Sequence, residues 1–119
     1  LARLTGLVLA RSRRDAEAEP LLRRTLAESA AGEPEVAREL ARIYLNSYRL
    51  DLVPAVLDRW VRDAPRDPTP HLWRVEVDRR DSKEPAVLIA HYREALRRDP
   101  RLDEARLGLA EALLAAHRN

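Results

Sequence analysis

Two prolines set 35 residues apart, Pro65 and Pro100, each close a pair of stretches in which apolar residues recur at helical spacing. Ahead of Pro65 stand Ala37, Leu40, Ala41 and Tyr44, then Val53 and Leu57. Ahead of Pro100 stand Leu72 and Val75, then Leu88, Tyr92 and Ala95. Spacings of three and four put each set on one face of a helix. One helix pair alone leaves an apolar face in water, so pairs that recur at a fixed interval must stack on one another to cover it.

The rest of the chain keeps the same periodicity, and no stretch alternates as a strand does. Seven helices are predicted, roughly 1–12, 16–30, 34–47, 52–63, 69–81, 84–98 and 102–117. Gly32-Glu33-Pro34 ends the second helix, and Pro34 suits the first turn of the third, where an absent N–H costs nothing. Asp51 is placed to cap the fourth helix, with Pro54 in its first turn. The stretch 64–70 holds three prolines and cannot continue a helix. Ser82 is placed to cap the sixth helix ahead of Pro85; Asp99-Pro100 closes it, and Asp103 starts the last. Pro20 is the awkward residue. A second helix beginning at Asp15 would enclose it at a cost of about 3 kcal/mol, so the sequence favours a start near Glu17, or a kink.

These residues carry a resemblance. The period is close to the roughly 34 residues of a tetratricopeptide repeat, and the chain resembles about three and a half divergent copies. The best match is the second copy, with Leu40-Ala41, Tyr44, Leu57 and Pro65. The third ends on His91-Tyr92-Arg93-Glu94-Ala95-Leu96-Arg97-Arg98-Asp99-Pro100, which is similar to the family's closing segment. Thr5-Gly6-x2-Leu9 with Ala18, Leu22 and Thr25 supplies the first, and Leu109-Ala110-x2-Leu113 an incomplete fourth. The resemblance implies an all-α fold, a right-handed superhelical solenoid of antiparallel helix pairs. It is read as one domain over 1–119, with repeats near 1–33, 34–68 and 69–102 and a lone helix over 103–119. The chain opens on Leu1 and reads as a piece of a longer protein. Trp60, Val53, Leu88 and Glu76 stand where the family keeps small residues. An indole needs about 150–250 Å² of cover, so Trp60 must either separate helices or fill space left by Ala37 and Ala41.

The resemblance also implies a site. In the family, the first helix of each pair lines a concave face that receives an extended peptide. By position this nominates Arg38, Arg42 and Asn46 from the second repeat and Trp73, Val77 and Arg80 from the third. Secondary candidates are Arg3, Leu7 and Arg11 from the first, and Leu107, Glu111 and Leu114 from the lone helix. The residues add two arguments of their own. Helix 69–81 carries two apolar faces, Leu72 with Val75 and Trp73 with Val77. Arg38 and Arg42 are like charges one turn apart, unfavourable by about 0.2–0.5 kcal/mol unless an anion relieves them. A peptide with an apolar anchor and a carboxylate would satisfy both. The bland reading is that Glu35 and Glu39, each three residues ahead, pair with these arginines on a solvated face. The family's carboxylate clamp uses lysine and asparagine. Here arginines stand instead and only Asn46 is a candidate asparagine, which speaks against chaperone tails as ligands. Leu107, Leu109, Leu113 and Leu114 exceed what one neighbouring hairpin can bury, a surface open to self-association.

Little else is written in the chain. His71, His91 and His117 are isolated and read as surface or loop residues without metal-ligand spacing. There is no cysteine, no glycine-rich phosphate loop and no legible cofactor site. No serine sits in a recognisable triad. Net charge is +2, from 22 Lys and Arg against 20 Asp and Glu, too balanced for nucleic-acid binding by bulk charge. The clusters Arg11-Ser12-Arg13-Arg14 and Arg23-Arg24 stand among Asp15, Glu17, Glu19 and Glu28, with no aromatics for base stacking. No apolar run approaches the ~20 residues of a membrane span. Lys83 is the only lysine, and the Ala, Arg and Leu bias reads as a GC-rich bacterial genome. The lack of cysteine suits cytoplasm or periplasm, the cytoplasm slightly favoured. The function expected is a non-catalytic protein–protein interaction scaffold. The alternative is an accessory, positioning domain of a larger bacterial enzyme such as a kinase, protease or glycosyltransferase.

Overall fold

The computed structural model describes residues 1–81 and 84–118. Among them are seven α-helices and no strand: α1 (Ala2–Arg11), α2 (Asp15–Glu28), α3 (Pro34–Asn46), α4 (Val53–Asp63), α5 (Thr69–Arg80), α6 (Pro85–Arg98) and α7 (Asp103–His117). The chain divides into two compact units, Leu1–Pro65 and Arg66–Asn119, with the border inside the proline-dense stretch. In the first unit each helix packs on the next, from α1 to α4; in the second, α5 packs on α6 and α6 on α7. The seven predicted helices are all found, with ends shifted by a few residues at most.

Two local expectations turn out otherwise. α2 does begin at Asp15, with Pro20 inside it. Pro20 is exposed, whereas Ala18 and Leu22 are fully buried. Ala16, whose carbonyl loses its donor to the proline, lies exposed where water can replace that bond. Burying Leu22 contributes about 2 kcal/mol toward keeping the helix continuous through this point. Asp51 does not cap α4. It lies within a 3₁₀ turn, Leu50–Leu52, that delivers the chain to α4 already in right-handed conformation, and Leu52 occupies the N-cap position without a side-chain cap. The extended backbone that an aspartate cap needs is absent there. Ser82 lies outside the described residues.

The first helices of both hairpins in the first unit end alike. Beyond α1, Arg13 adopts φ 62° and donates its N–H to the Ala10 carbonyl at 3.1 Å, while Arg14 N–H reaches Leu9 at 2.9 Å. Beyond α3, Tyr48 adopts φ 57°, with Tyr48 N–H on Leu45 at 3.2 Å and Arg49 N–H on Tyr44 at 2.9 Å. This is the Schellman closure, usually built on glycine because a left-handed residue is strained by its Cβ. Arg49 completes the second instance by laying its guanidinium 4.9 Å from the centroid of the Tyr44 ring and pairing with Glu19. That pairing holds the Glu19 carboxyl below its ordinary pKa, against the effect of burial.

Polar closure is strongest at the end of α2. Arg59 of α4 donates Nη1 to the Leu26 carbonyl at 2.8 Å and Nη2 to Ser29 and Ala31 at 3.1 and 3.2 Å. Its Nε meets Asp63 Oδ2 at 2.7 Å. Asp63, with a side chain only 8% exposed, also accepts the Glu33 N–H at 3.0 Å. One guanidinium thus satisfies carbonyls that the end of a helix leaves without donors. Nearby, Trp60 is 1% exposed, and Ala37 and Ala41 are fully buried in the same unit.

The second unit has a lighter core: Val75, Tyr92, Ala95, Ala105 and Ala112, with Leu72, Leu88, Ile89, Leu96, Leu102 and Leu109 against it. α7 turns small residues, Ala105, Gly108 and Ala112, into this interior. A Cβ built on Gly108 would stand 2.3 Å from Cε1 and Cζ of Tyr92, so the absent side chain is what admits the ring. The Tyr92 hydroxyl accepts from Arg79 Nη2 at 2.9 Å.

Candidate functional site

In the first unit a pocket of about 240 Å³ lies where the end of α1 meets α3, lined by Ala10, Arg11, Arg13, Glu39 and Arg42. Two nominated residues, Arg11 and Arg42, share it. Arg13 lines it through the left-handed turn described above; sequence reasoning had no means to see this, since nothing marked Arg13 as a helix-closing residue.

Arg42 is committed within the chain. Its Nη2 and Nη1 approach the two oxygens of Asp15 at 3.1 and 3.3 Å, its Nε meets Glu39 at 2.9 Å, and Nη2 also donates to the Ala10 carbonyl at 3.2 Å. The anion that relieves this arginine is therefore Asp15 together with Glu39. Glu39 is the partner of the bland reading; Asp15, twenty-seven residues away, was not foreseen. Glu35 turns instead to Arg11, at 3.4 Å with both side chains mostly exposed, a weak pair. Arg38 is exposed and makes no ion pair among the described residues. Asn46, the last residue of α3, is exposed too. Arg3 bonds Glu33 at 2.8 Å. Leu7 is 3% exposed and belongs to the core, so it offers no surface to a ligand.

In the second unit, Trp73, Val77 and Arg80 share one side of α5 by helical spacing. Trp73 is half-buried and Arg80 exposed, but Val77 is 4% exposed, so the second apolar face of α5 is covered at that position. On α7, Leu107, Glu111 and Leu114 are exposed.

His71 departs from the expectation of a surface or loop residue. It lies in the first turn of α5 at 2% exposure, with Nδ1 3.4 Å from Arg74 Nη1 and Nε2 without a partner. Burial, then the charges of Arg98 and Arg74, lower its pKa to about 4; Glu94 opposes them. His91 of α6 meets Asp78 of α5 at 2.6 Å, joining the two helices. The unfolded chain binds the His71 proton near its ordinary pKa of about 6.5, so between there and 4 it holds more protons than the folded one. Stability is then full above about pH 6.5 and declines as pH falls toward 4. The expected loss is about 2 kcal/mol once solvent screening is allowed for. Urea unfolding at a series of pH values checks this: His71→Leu should flatten the slope across that window, and an unchanged slope would clear His71 of the effect.

Among the described residues no group of three or more His, Asp or Glu could hold a metal ion, and no helix is long and apolar enough to cross a membrane. No family model and no curated protein matches the sequence. Solved structures do. MamA of AMB-1 superposes with a TM-score of 0.69 at 22% identity, over 99% of this chain and 69% of that one. MamA of MSR-1 gives 0.67 at 22% identity, over 98% and 66%. This chain thus spans about two thirds of the length of either. MamA is a tetratricopeptide-repeat protein, and at this identity the likeness is one of fold: seven helices arranged as a tetratricopeptide-like helical repeat.

Proposed function

We propose that this chain is a non-catalytic protein–protein interaction scaffold that takes a peptide or partner surface on the first helices of its hairpins. The fold fits an interaction scaffold. The observation that carries the finer reading is the pocket in the first unit, where Arg11, Arg13 and Arg42 surround one concavity and Glu39 is the lone carboxylate on its wall. Arg42 is held by Asp15 and Glu39 and serves as the wall of this site. Arg11, Arg13 and Arg38, all exposed, are its reach. Guanidinium groups of this kind suit a carboxylate, and a peptide carrying an acidic side chain or its own C-terminus beside an apolar anchor is the ligand proposed. On α5, Trp73 and Arg80 offer a similar combination. The peptide-binding role deriving from α3 rests on Arg38 and Asn46, since Arg42 has internal work to do.

The test is selection of random displayed peptides on the immobilised chain, followed by calorimetry of the winners. Enriched peptides should share a carboxylate, and Arg11→Glu/Arg13→Glu/Arg38→Glu should weaken them by about tenfold or more, the effect of reversing charges at a close polar contact. These three side chains are exposed, so circular dichroism should show the variant still helical. Peptides that bind parent and variant equally would move the site elsewhere.

A further inference from the structure

α7 has a second apolar side that no described residue of its own unit covers. Its small residues face α6, yet Leu107, Leu113 and Leu114 are 64%, 43% and 58% exposed. Two adjoining grooves run along this side. One of about 390 Å³ is lined by Leu96, Pro100, Arg106, Leu109, Ala110 and Leu113, and the next, of about 470 Å³, by Ala110, Leu113, Leu114 and His117. They share Ala110 and Leu113, and from Arg106 to His117 they follow about 16 Å of helix, roughly three turns. The first helix of every hairpin here, α1, α3 and α5, is covered by an antiparallel partner of similar length. The groove beside α7 continues the α6–α7 interface through Leu96 and Leu109, so an antiparallel helix is the shape it accepts.

Charge selects among helices. Among the described residues, the two charged or titratable ones lining the grooves are Arg106 and His117, both basic in type, and no carboxylate lines either. Among the described residues Arg106 has Asp103 as its ion-pair partner, at 3.9 Å and 97% exposed. A second copy of this chain fits poorly. Antiparallel α7 against α7 would bring Arg106 toward the other copy's His117. The exposed apolar stripe of α1, Leu4 and Val8, lies on a helix with no carboxylate, flanked by Arg3 and Arg11. We propose that this groove docks an acidic amphipathic helix of a separate protein, its apolar side over Ala110, Leu113 and Leu114 and its carboxylates toward Arg106 and His117.

Two labelled synthetic helices test this, identical in their leucine face and carrying either glutamate or arginine at the flanking positions. Fluorescence anisotropy with the whole chain should show the glutamate helix binding and the arginine helix weaker by about tenfold or more. Leu113→Asp should abolish binding, and Arg106→Glu should reverse the preference between the two helices. Both replaced side chains are exposed, so both variants should keep parental circular dichroism. Equal binding of the two helices, binding of neither, or a dimer by sedimentation equilibrium that Leu113→Asp dissociates would each overturn the assignment, the last giving the groove to a second copy.

Discussion

Gly108→Ala should destabilise the second unit by about 2–3 kcal/mol, although alanine in an unobstructed helix is favoured over glycine by up to about 1 kcal/mol. The opposing effects are unequal because of where the new methyl goes. It would stand 2.3 Å from two ring carbons of Tyr92 and 2.6 Å from its hydroxyl oxygen, well inside contact distance. Tyr92 cannot swing away cheaply, being 6% exposed and held at its hydroxyl by Arg79. α6 and α7 must part instead, loosening Ala105 and Ala112 with them. Urea unfolding followed by far-UV circular dichroism reads the effect. Pairing Gly108→Ala with Tyr92→Leu should recover about 1 kcal/mol or more relative to the sum of the single changes, since the leucine removes the obstruction. A neutral or stabilising Gly108→Ala would show that the ring does not lie on the glycine.

Arg59→Met should cost the first unit about 3–4 kcal/mol. The thioether keeps much of the aliphatic stem and removes every donor. Three carbonyls, of Leu26, Ser29 and Ala31, lose their guanidinium, and Asp63 is left with one amide and a more distant Arg62. Burial alone would raise the Asp63 pKa, but the Glu33 amide and Arg59 overcome it and hold the carboxyl below its ordinary range. The stability this contributes is complete above the unfolded carboxylate pKa and is lost as pH falls through the folded one. Without Arg59 that acid contribution should shrink. Arg24→Met is the control. Its pair with Glu28, at 3.1 Å and about two-thirds exposed on both sides, should change stability by less than about 0.5 kcal/mol. Equal effects of the two replacements would show that Arg59 is an ordinary surface arginine.

Helices were the legible part of this sequence because their signals are local. Pro34, Pro54 and Pro85 fall in the first turns of α3, α4 and α6, and Asp63 and Arg98 end helices just ahead of Pro65 and Pro100. The apolar stripes of α3 and α4 became the buried faces. What misled was equally local. Pro20 argued for a helix start near Glu17 or a kink, and the chain accepts it in mid-helix because Ala18 and Leu22 are buried on the other side. Asp51 looked like a cap, and a 3₁₀ turn took its place.

The candidate site was legible in outline only. Spacing put Arg38, Arg42 and Asn46 on one face of α3, but whether a guanidinium there is free depends on residues distant in sequence. Asp15 and the Ala10 carbonyl, which engage Arg42, lie 27 and 32 positions away, and the carbonyls gathered by Arg59 lie 28 to 33 away. Leu7 and Val77 seemed available because a helical wheel does not say which of two apolar faces a neighbour will cover. His71 was missed for the same reason, α5 having no single apolar stripe to mark its interior. Gly108 was passed over in favour of the Leu109-Ala110 motif, since only the Tyr92 ring shows why that position must be glycine.

The most direct test of the interaction role is an amide-resolved NMR titration of the chain with the tightest carboxylate peptide from the selection. The account predicts that the largest shifts fall at the end of α1 and along α3, around Arg11, Arg13, Arg38, Glu39 and Arg42. Shifts confined to α7, or scattered without saturation, would contradict it.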